Sequence, residues 1–470
     1  MRPLSIEKTA DAAHGKLIRK GMAPEITGVS TDTRTMRPGD LFVPLIGERF
    51  DGHQFLPQAV QKGAAAVLTQ NLQNPLPDGI SVIYCEDTLV SLQELAAWYL
   101  KSMHVPVVAV TGSTGKTSTR DMIACVLSKK YCVLRTHGNF NNAIGLPLTL
   151  FRLEPCHQVA VLEMGMSGFG EIRRLAGIAP PKIAVLTNIG ISHMAMLGSR
   201  ENILKAKLEI LERFQADCTA VLNDDNDLLH QEGKRMEEKK VPFSLVRFGT
   251  GPGADYRAED LRPEGESGME YTLVADGARF PVRLRVPGRH NVFNSLAAIA
   301  VGRSFGMGLE QICRGLLDYT GEQMRLQVES IGGDADIKII DDVYNSSPDS
   351  VHAAMELLRN MAGGRKIAVL GDMMDLGDYS EGAHRQVGAM VAEYGTDILI
   401  TKGNYSSWIA DGAKKAGMPA QSIYHFPENR GVIQWMKDGL SSGDRILIKG
   451  SRAMKMEEIV AYLKGGTFFR

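Results

Sequence analysis

The feature that most restricts this chain is the apolar run Val107-Val108-Ala109-Val110. It leads directly into Thr111-Gly112-Ser113-Thr114-Gly115-Lys116-Thr117 and then into a helical pattern over residues 116–129. A buried strand that feeds a glycine-rich turn and a helix is the opening of a crossover unit, and such units build parallel sheets. Gly112 and Gly115 let the backbone approach a ligand closely, and the N–H groups at the helix start favour an anion. Lys116 can neutralise terminal phosphate charge, and the Thr117 hydroxyl can ligate Mg²⁺. Val110 stands where the commoner G-x-x-x-x-G-K-[ST] loop has its first glycine. The shorter T-G-x-x-G-K-T form points to a subset of nucleotide-binding proteins. A chance match is the alternative, and the strand–turn–helix context argues against it.

Around this loop, short apolar runs alternate with helical patterns, which predicts an α/β fold. At roughly 150 residues per domain, 470 residues suggest about three domains. The first, residues 1–104, has strand patterns at 26–30, 40–45, 64–69 and 80–84 and an amphipathic helix over 89–103. His104-Val105-Pro106 is a joint, because proline biases the residue before it away from helix. The second, 105–322, has strands at 106–110, 158–162, 182–187 and 219–222. It also has an alternating stretch over 271–286, where Asp276-Gly277 signals an antiparallel hairpin. The third, 323–470, has strands at 337–340, 366–370, 397–400 and 445–448, each ending in polar or glycine residues. In open α/β sheets ligands bind beyond the carboxyl ends of the strands.

Composition excludes several classes. Lys+Arg is 53 against 54 Asp+Glu, a net charge of -1, so no field recruits nucleic acid or an anionic membrane. No apolar run reaches the roughly 18–20 residues of a membrane span, and the amino-terminal stretch has no secretory apolar region. The six cysteines are scattered without a C-x-x-C pair, which fits a reducing cytoplasm rather than a disulfide framework or zinc ribbon.

Three residues fall just beyond parallel strands on the edge that carries the phosphate loop: Thr117, Glu163 and His193. Oxygen ligands with one imidazole suit Mg²⁺ or Mn²⁺. A helix predicted over 201–214 carries Ile203, Leu204, Ala206, Leu208, Ile210, Leu211 and Phe214 on one arc, at about 100° per residue. Lys205, Glu209, Glu212 and Arg213 lie opposite. Lys207 falls inside the apolar arc, where it either snorkels to water or has a partner or a task.

These stretches resemble the Mur ligase family, the ATP-dependent amide-forming ligases of peptidoglycan precursor synthesis. The likeness runs through VSTDTRTMRPGDLFVPLIGERFDGHQF, TGSTGKTSTRDM, GNFNNAIGLPLTL, EMGMSGFGEI, NIGISHMAMLGS, KAKLEI, GRHNVFNSLAA, DDVYNSSPDS, LGDMMDLG and KGSRAMKME. The first and the last three are most like members that add a dipeptide. The resemblance implies a central P-loop parallel-sheet ATPase domain flanked by a small amino-terminal α/β domain and a carboxy-terminal Rossmann-like domain. It implies ATP at Gly112, Ser113, Thr114, Gly115, Lys116, Thr117 and Ser118, with Asn291, Asn294, Arg325 and Asp342 also facing the nucleotide. Mg²⁺ would be held by Thr117, Glu163, His193 and a CO₂-derived carbamate on Lys207. Lys116, Lys207, His193 and Glu163 would carry the chemistry.

The UDP-sugar would meet Ser30, Asp32, Thr33, Arg34, Gly47, Asp51 and His53, with Asn139 and Asn142 between it and ATP. Asn345, Lys449, Ser451 and Arg452 would lie nearest the incoming dipeptide. Two positions depart from the family pattern: its GR is Met324-Arg325, and its YNANP is Tyr344-Asn345-Ser346-Ser347-Pro348. The implied reaction joins D-alanyl-D-alanine to UDP-N-acetylmuramoyl-tripeptide through an acyl phosphate, in a cytoplasmic monomer that needs only small-molecule partners. Two rivals share these motifs: another amide ligase on the same scaffold, adding a diamino acid or extending a glutamate tail, and a non-catalytic ATP-binding switch.

Overall fold

The strands Val107–Thr111, Val159–Glu163 and Ile183–Leu186 are buried at every position. Near-continuous apolar strands of this kind belong to a parallel sheet covered on both faces. In the computed structural model they lie at the middle of a nine-stranded sheet. Its order is Ala278–Leu284, Met269–Ala275, Tyr256–Pro263, Ser244–Gly249, Thr219–Asn223, Ile183–Leu186, Val107–Thr111, Val159–Glu163, Val133–Arg135. Pairing is parallel from Tyr256–Pro263 through Val133–Arg135, and antiparallel at the other edge. The structure describes all residues except 49, 73–77, 332–335 and 466–470. Arg49, inside the first family-like stretch, lies outside the described residues.

A five-stranded sheet precedes this one, in the order Lys16–Arg19, Ser81–Tyr84, Ala66–Thr69, Asp40–Phe42, Gly28–Ser30. Only its Lys16–Arg19 edge is antiparallel. The strand expected over 26–30 is divided. Glu25–Ile26 pairs with Leu4–Ser5 in a separate two-stranded sheet, while Gly28–Ser30 joins the larger one. A six-stranded sheet follows the central one, in the order Gln327–Ile331, Ile337–Asp342, Arg445–Lys449, Lys366–Gly371, Ile398–Lys402, Ile423–Phe426. There the last strand in the chain is inserted between two earlier ones. The architecture is three lobes of mixed α/β structure, as expected.

Local chemistry explains most of the elements. Asp87 caps the helix Thr88–Met103 by accepting from the N–H groups of Leu89 and Val90. Asp276 and Gly277 take φ of 52° and 74°, the conformation a two-residue hairpin turn requires. The sequence pattern does not predict the edge strands Val133–Arg135 and Gln327–Ile331 or the interior strand Tyr256–Pro263. They are largely solvent-facing and lack a clean apolar run.

The helix expected over 201–214 is shorter. It spans Arg200–Leu208 and tightens into a 3-10 turn, Glu209–Leu211. That change moves Glu209, expected on the solvent face, into the interior. Its carboxylate accepts from the backbone N–H groups of Gly170 and Arg173 at 2.8–3.1 Å, capping the helix Glu171–Ile178. Lys207 stays on the buried side, as its position in the apolar arc predicts.

The first and central lobes share one continuous apolar core, which runs from Leu4 and Ile6 through Leu92 and Tyr99 to Leu150, Leu162 and Ile203. The last lobe has its own apolar clusters, one on each face of its sheet. In that lobe the helices Ser380–Glu393 and Ser407–Lys415 approach most closely at two glycines. A Cβ at Gly388 would overlap the carbonyl of Ile409, and one at Gly412 the carbonyl of Arg385. Gly388→Ala is therefore expected to destabilise this lobe by about 1–3 kcal/mol. The check is the first transition in a thermal melt; an unshifted transition would show that the helices separate freely.

Candidate active site

The strand Val107–Thr111 is where the order of the central sheet reverses. The chain runs from it to the edge strand Val133–Arg135 and back to Val159–Glu163 on one side, then crosses to Ile183–Leu186 on the other. Ligand sites of open α/β sheets form at such a point, outside the carboxyl ends of the strands. Register sets Glu163 beside Val110 and Leu186 beside Thr111. The loops after all three strands therefore open onto the same edge.

The phosphate loop is held from both sides. Gly112 packs where a Cβ would overlap Thr187 Oγ1, and Gly115, at φ 76°, starts the helix Lys116–Leu127 against the side chain of Asn294. Asn188 Oδ1 accepts from Ser113 N at 3.1 Å and from Thr114 N at 2.8 Å. Thr187 Oγ1 donates to the Thr114 carbonyl at 2.6 Å, and Ser113 Oγ accepts from Gly190 N at 2.9 Å. Lys116 Nζ folds back on its own loop, donating to Gly112 O at 2.8 Å and Ser113 O at 3.3 Å.

The expected metal ligands converge in part. Thr117 Oγ1 donates to Glu163 Oε2 at 2.8 Å, and both residues are buried. Asn141 Nδ2 donates to Glu163 Oε1 at 2.7 Å, and Arg120 NH1 lies 3.3 Å from Oε2. His193 is half-buried in a left-handed conformation at the start of the short helix Met194–Leu197. Burial, with Lys116 and Lys207 nearby, pushes its pKa down to about 4. The ring is therefore neutral at pH 7 and able to donate a lone pair to a metal.

Lys207 is 1% exposed, and its Nζ donates to Gly112 O at 2.9 Å. Burial first, and the neighbouring Lys116 second, hold this amine far below the ordinary lysine range. The stem packs in the interior and the amine does not reach water, so the snorkelling alternative does not apply. Two amines share one carbonyl, which is a place suited to a group that removes positive charge.

A cavity of about 1130 Å³ gathers residues from the central and last lobes, among them Lys116, Thr117, Glu163, His193, Asn291 and Asn345. Asn142, Asn294, Ser118, Arg325, Asp342 and Lys449 also line it. Asn294 accepts from Thr119 Oγ1 at 3.0 Å and donates to Asn291 Oδ1 at 3.1 Å, which ties the asparagine pair to the phosphate-loop helix. Arg325 lies over the Tyr344 ring at 4.1 Å. Asp342 and Lys449 form a buried ion pair at 2.6 Å, and Lys449 Nζ also donates to Asn345 O at 2.9 Å.

Other expected residues stand outside this lining. Ser451 is buried and accepts from Met374 N at 2.9 Å, and Arg452 pairs with Glu457 at 3.3 Å. Asn139 is exposed. The first-lobe group forms its own surface. Ser30 Oγ and Asp32 close a tight turn, and the Arg34 guanidinium holds the Asp32 carboxyl below its usual range. Thr33 donates to Gln58 Oε1 at 2.6 Å, and Asp51 pairs with the buried His53 ring at 2.6 Å. Gly47 N donates to the Phe50 carbonyl at 2.9 Å.

Four residues of the site carry no signal in the sequence pattern. Asn141 lies between the two asparagines that were chosen, and it alone of the three meets Glu163. Arg120 and Asn188 sit in stretches read only for their neighbours. Asp349, in the last lobe, reaches across to the central one: its carboxylate lies against Gly190, where a Cβ would overlap it.

Three family models match in succession: the Mur ligase family catalytic domain over residues 25–99, the Mur ligase middle domain over 110–302 and the Mur ligase glutamate ligase domain over 324–452. A relative from Bacillus subtilis strain 168 named UDP-N-acetylmuramoyl-tripeptide–D-alanyl-D-alanine ligase is 44% identical, over 93% of this chain and 92% of its own. The chain belongs to the Mur ligase family.

Solved structures within the family agree. A crystal structure of MurF from Acinetobacter baumannii superposes with a TM-score of 0.90 at 30% identity, covering 99% of each chain. MurF from Thermotoga maritima in complex with ADP gives 0.81 at 28% identity, over 93% of this chain and 97% of that one. In this Mur ligase, Asn188→Ala should weaken ATP binding by roughly 30-fold, since it removes two hydrogen bonds that shape the phosphate loop, each worth about 1 kcal/mol. Titration calorimetry checks it; an unchanged Kd would mean that the loop keeps its shape without Asn188.

Proposed function

We propose that this chain is the ATP-dependent ligase that joins D-alanyl-D-alanine to UDP-N-acetylmuramoyl-tripeptide, releasing ADP and phosphate. The observation that carries the reading is the convergence of the phosphate loop, Glu163, His193 and Lys449 on one cavity between two lobes. The full-length likeness to relatives of that name supports the choice of substrates.

Amide formation from a carboxylate is unfavourable in water, so the acid must first be activated. In the proposed sequence a carboxylate oxygen of the tripeptide attacks the γ-phosphorus of ATP, and the bond to the β-γ bridging oxygen breaks to release ADP. The dipeptide amine then attacks the acyl carbon of the acyl phosphate. The tetrahedral intermediate expels phosphate, and the amine loses a proton. Positioning and charge neutralisation supply most of the rate. Lys116 and the phosphate-loop amides would bear the phosphate charge, and the Asn291–Asn294 pair would meet the base. Arg325 and Asp342 would face the nucleotide from the last lobe. Asn345, Lys449, Ser451 and Arg452 would lie toward the dipeptide, and the first-lobe turn around Asp32 and Asp51 toward the UDP-sugar, with Asn139 and Asn142 between it and ATP.

The side chains fit a divalent cation. Thr117 and Glu163 already converge, and His193 is neutral. Mg²⁺, or Mn²⁺ in its place, would neutralise phosphate charge when bound. Thr117, Glu163, His193 and a carbamate on Lys207 would hold it. The low pKa of Lys207 leaves its amine free to add to CO₂: an N–C bond forms and a proton departs, leaving an anion where the ammonium was unfavourable. Nucleotide-activated substrates place the work in the cytoplasm. One copy supplies every residue named, so we propose a monomer.

The deciding assay is ADP release with UDP-N-acetylmuramoyl-tripeptide, with and without D-alanyl-D-alanine. Release should require both co-substrates, and single amino acids should not replace the dipeptide. Lys116→Ala should lower ligation by about 100-fold or more, as expected for losing a charge that supports phosphoryl transfer. Full ligation by that variant, or a preference for a diamino acid or glutamate, would overturn the reading.

A further inference from the structure

The six cysteines look scattered in the sequence, but two of them meet in space. Cys132 Sγ lies 3.1 Å from Cys156 Sγ, across a separation of 24 positions. The pair sits at the amino ends of Val133–Arg135 and Val159–Glu163, the opposite end of the sheet from the phosphate loop. It therefore lies outside the site already described.

The backbone holds the two close. Gln158 N donates to Cys132 O at 2.8 Å, and Cys132 N donates to Gln158 Oε1 at 3.1 Å. A turn closed by His157 N on Glu154 O at 2.9 Å carries Cys156. Cys156 is exposed and Cys132 half-buried. From these contacts we infer that Cys132 and Cys156 form a thiol–disulfide modification site, which takes a low-molecular-weight disulfide and closes to an intramolecular bond.

The alternative ligand for two thiols beside an imidazole is a soft metal such as Zn²⁺, and the geometry disfavours it. Two thiolates at about 2.3 Å from one tetrahedral ion stand roughly 3.7 Å apart. The sulfurs here are already closer, and a disulfide would draw them closer still. The nearest imidazole nitrogen, His157 Nδ1, is 4.0 Å from Cys156 Sγ and accepts the backbone N–H of Glu154 at 2.9 Å. Its lone pair is in use.

The chemistry balances in two exchanges. The Cys156 thiolate attacks one sulfur of R–S–S–R, forming a mixed disulfide and expelling one thiolate. Cys132 then attacks Cys156 Sγ, the mixed disulfide breaks, and the second thiolate leaves. The protein dithiol loses two electrons, the small disulfide gains them, and the two protein protons end on the two released thiols. The order follows from exposure and from the shared proton. The Cys132 S–H donates to the Cys156 sulfur, and this hydrogen bond raises the Cys132 pKa, so Cys156 is the attacking thiol. The link would close the base of the segment that carries Asn141, the residue that holds Glu163.

The test uses the reduced full-length protein and oxidised glutathione. Wild type should lose about 2 Da and retain no adduct, with a Cys132–Cys156 link in the peptide map that dithiothreitol reverses. Cys132→Ser should trap one glutathione on Cys156. Cys156→Ser should react about tenfold more slowly at Cys132. Circular dichroism confirms that both variants fold. A wild-type protein that keeps glutathione on either residue, links a different pair or does not react would overturn the inference. So would stoichiometric Zn²⁺ retained by the reduced wild type and lost from Cys156→Ser, which would make the pair a metal clasp.

Discussion

The two-sided parallel pairing of Val107–Thr111 is the constraint on which the rest depends. Because one neighbour is Val159–Glu163 and the other Ile183–Leu186, three loops leave the sheet side by side. Those loops supply the phosphate-binding backbone, the Glu163 carboxylate and the TNIGISH stretch. The switch of chain direction across this strand produces the arrangement from the order of the strands alone. The side chains then secure it: Asn188 and Thr187 brace the loop from one flank, and Asn294 from the helix Arg289–Ser304 on the other.

Burial gives this edge its electrostatic character. Lys116 and Lys207 donate to the same Gly112 carbonyl, and burial depresses both amines. On the other side, the buried Arg120 pairs with the buried Asp121 and lies near the buried Glu163 and the half-buried Glu322. Two lysine amines and the backbone amides thus gather at the phosphate loop while a carboxylate waits beside Thr117. That separation suits an anion that brings a divalent ion with it.

The lobes are joined in two different ways. The first and central lobes share an apolar core, reinforced by Tyr99 OH on Leu153 O at 2.8 Å and Gln93 Nε2 on Ala143 O at 3.0 Å. The central and last lobes meet through a smaller, mixed contact: Ile191 packs against the apolar cluster of the last lobe, Ala195 N donates to Asp375 O at 3.2 Å and Tyr379 OH to Gly198 O at 3.3 Å. The last lobe thus keeps apolar clusters of its own, whereas the first two lobes are built on a common one. Its contacts fall on the stretch that carries His193, which couples lobe position to the cavity.

Pattern and spacing alone determined the α/β class, the phosphate loop, the hairpin at Asp276-Gly277 and the interior placement of Lys207. Each of these depends on neighbours in the chain: a period, a turn residue or a helix face. Tertiary structure decided what depends on distant partners. Asn141 rather than Asn139 or Asn142 holds Glu163, because the register of Val159–Glu163 brings that side chain within reach. Glu209 turns inward because its helix tightens and the amides of Gly170 and Arg173 are waiting. Asp342 and Lys449 pair because the last strand inserts next to Ile337–Asp342. Cys132 and Cys156 meet for the same reason: sheet pairing joins residues that no local pattern connects.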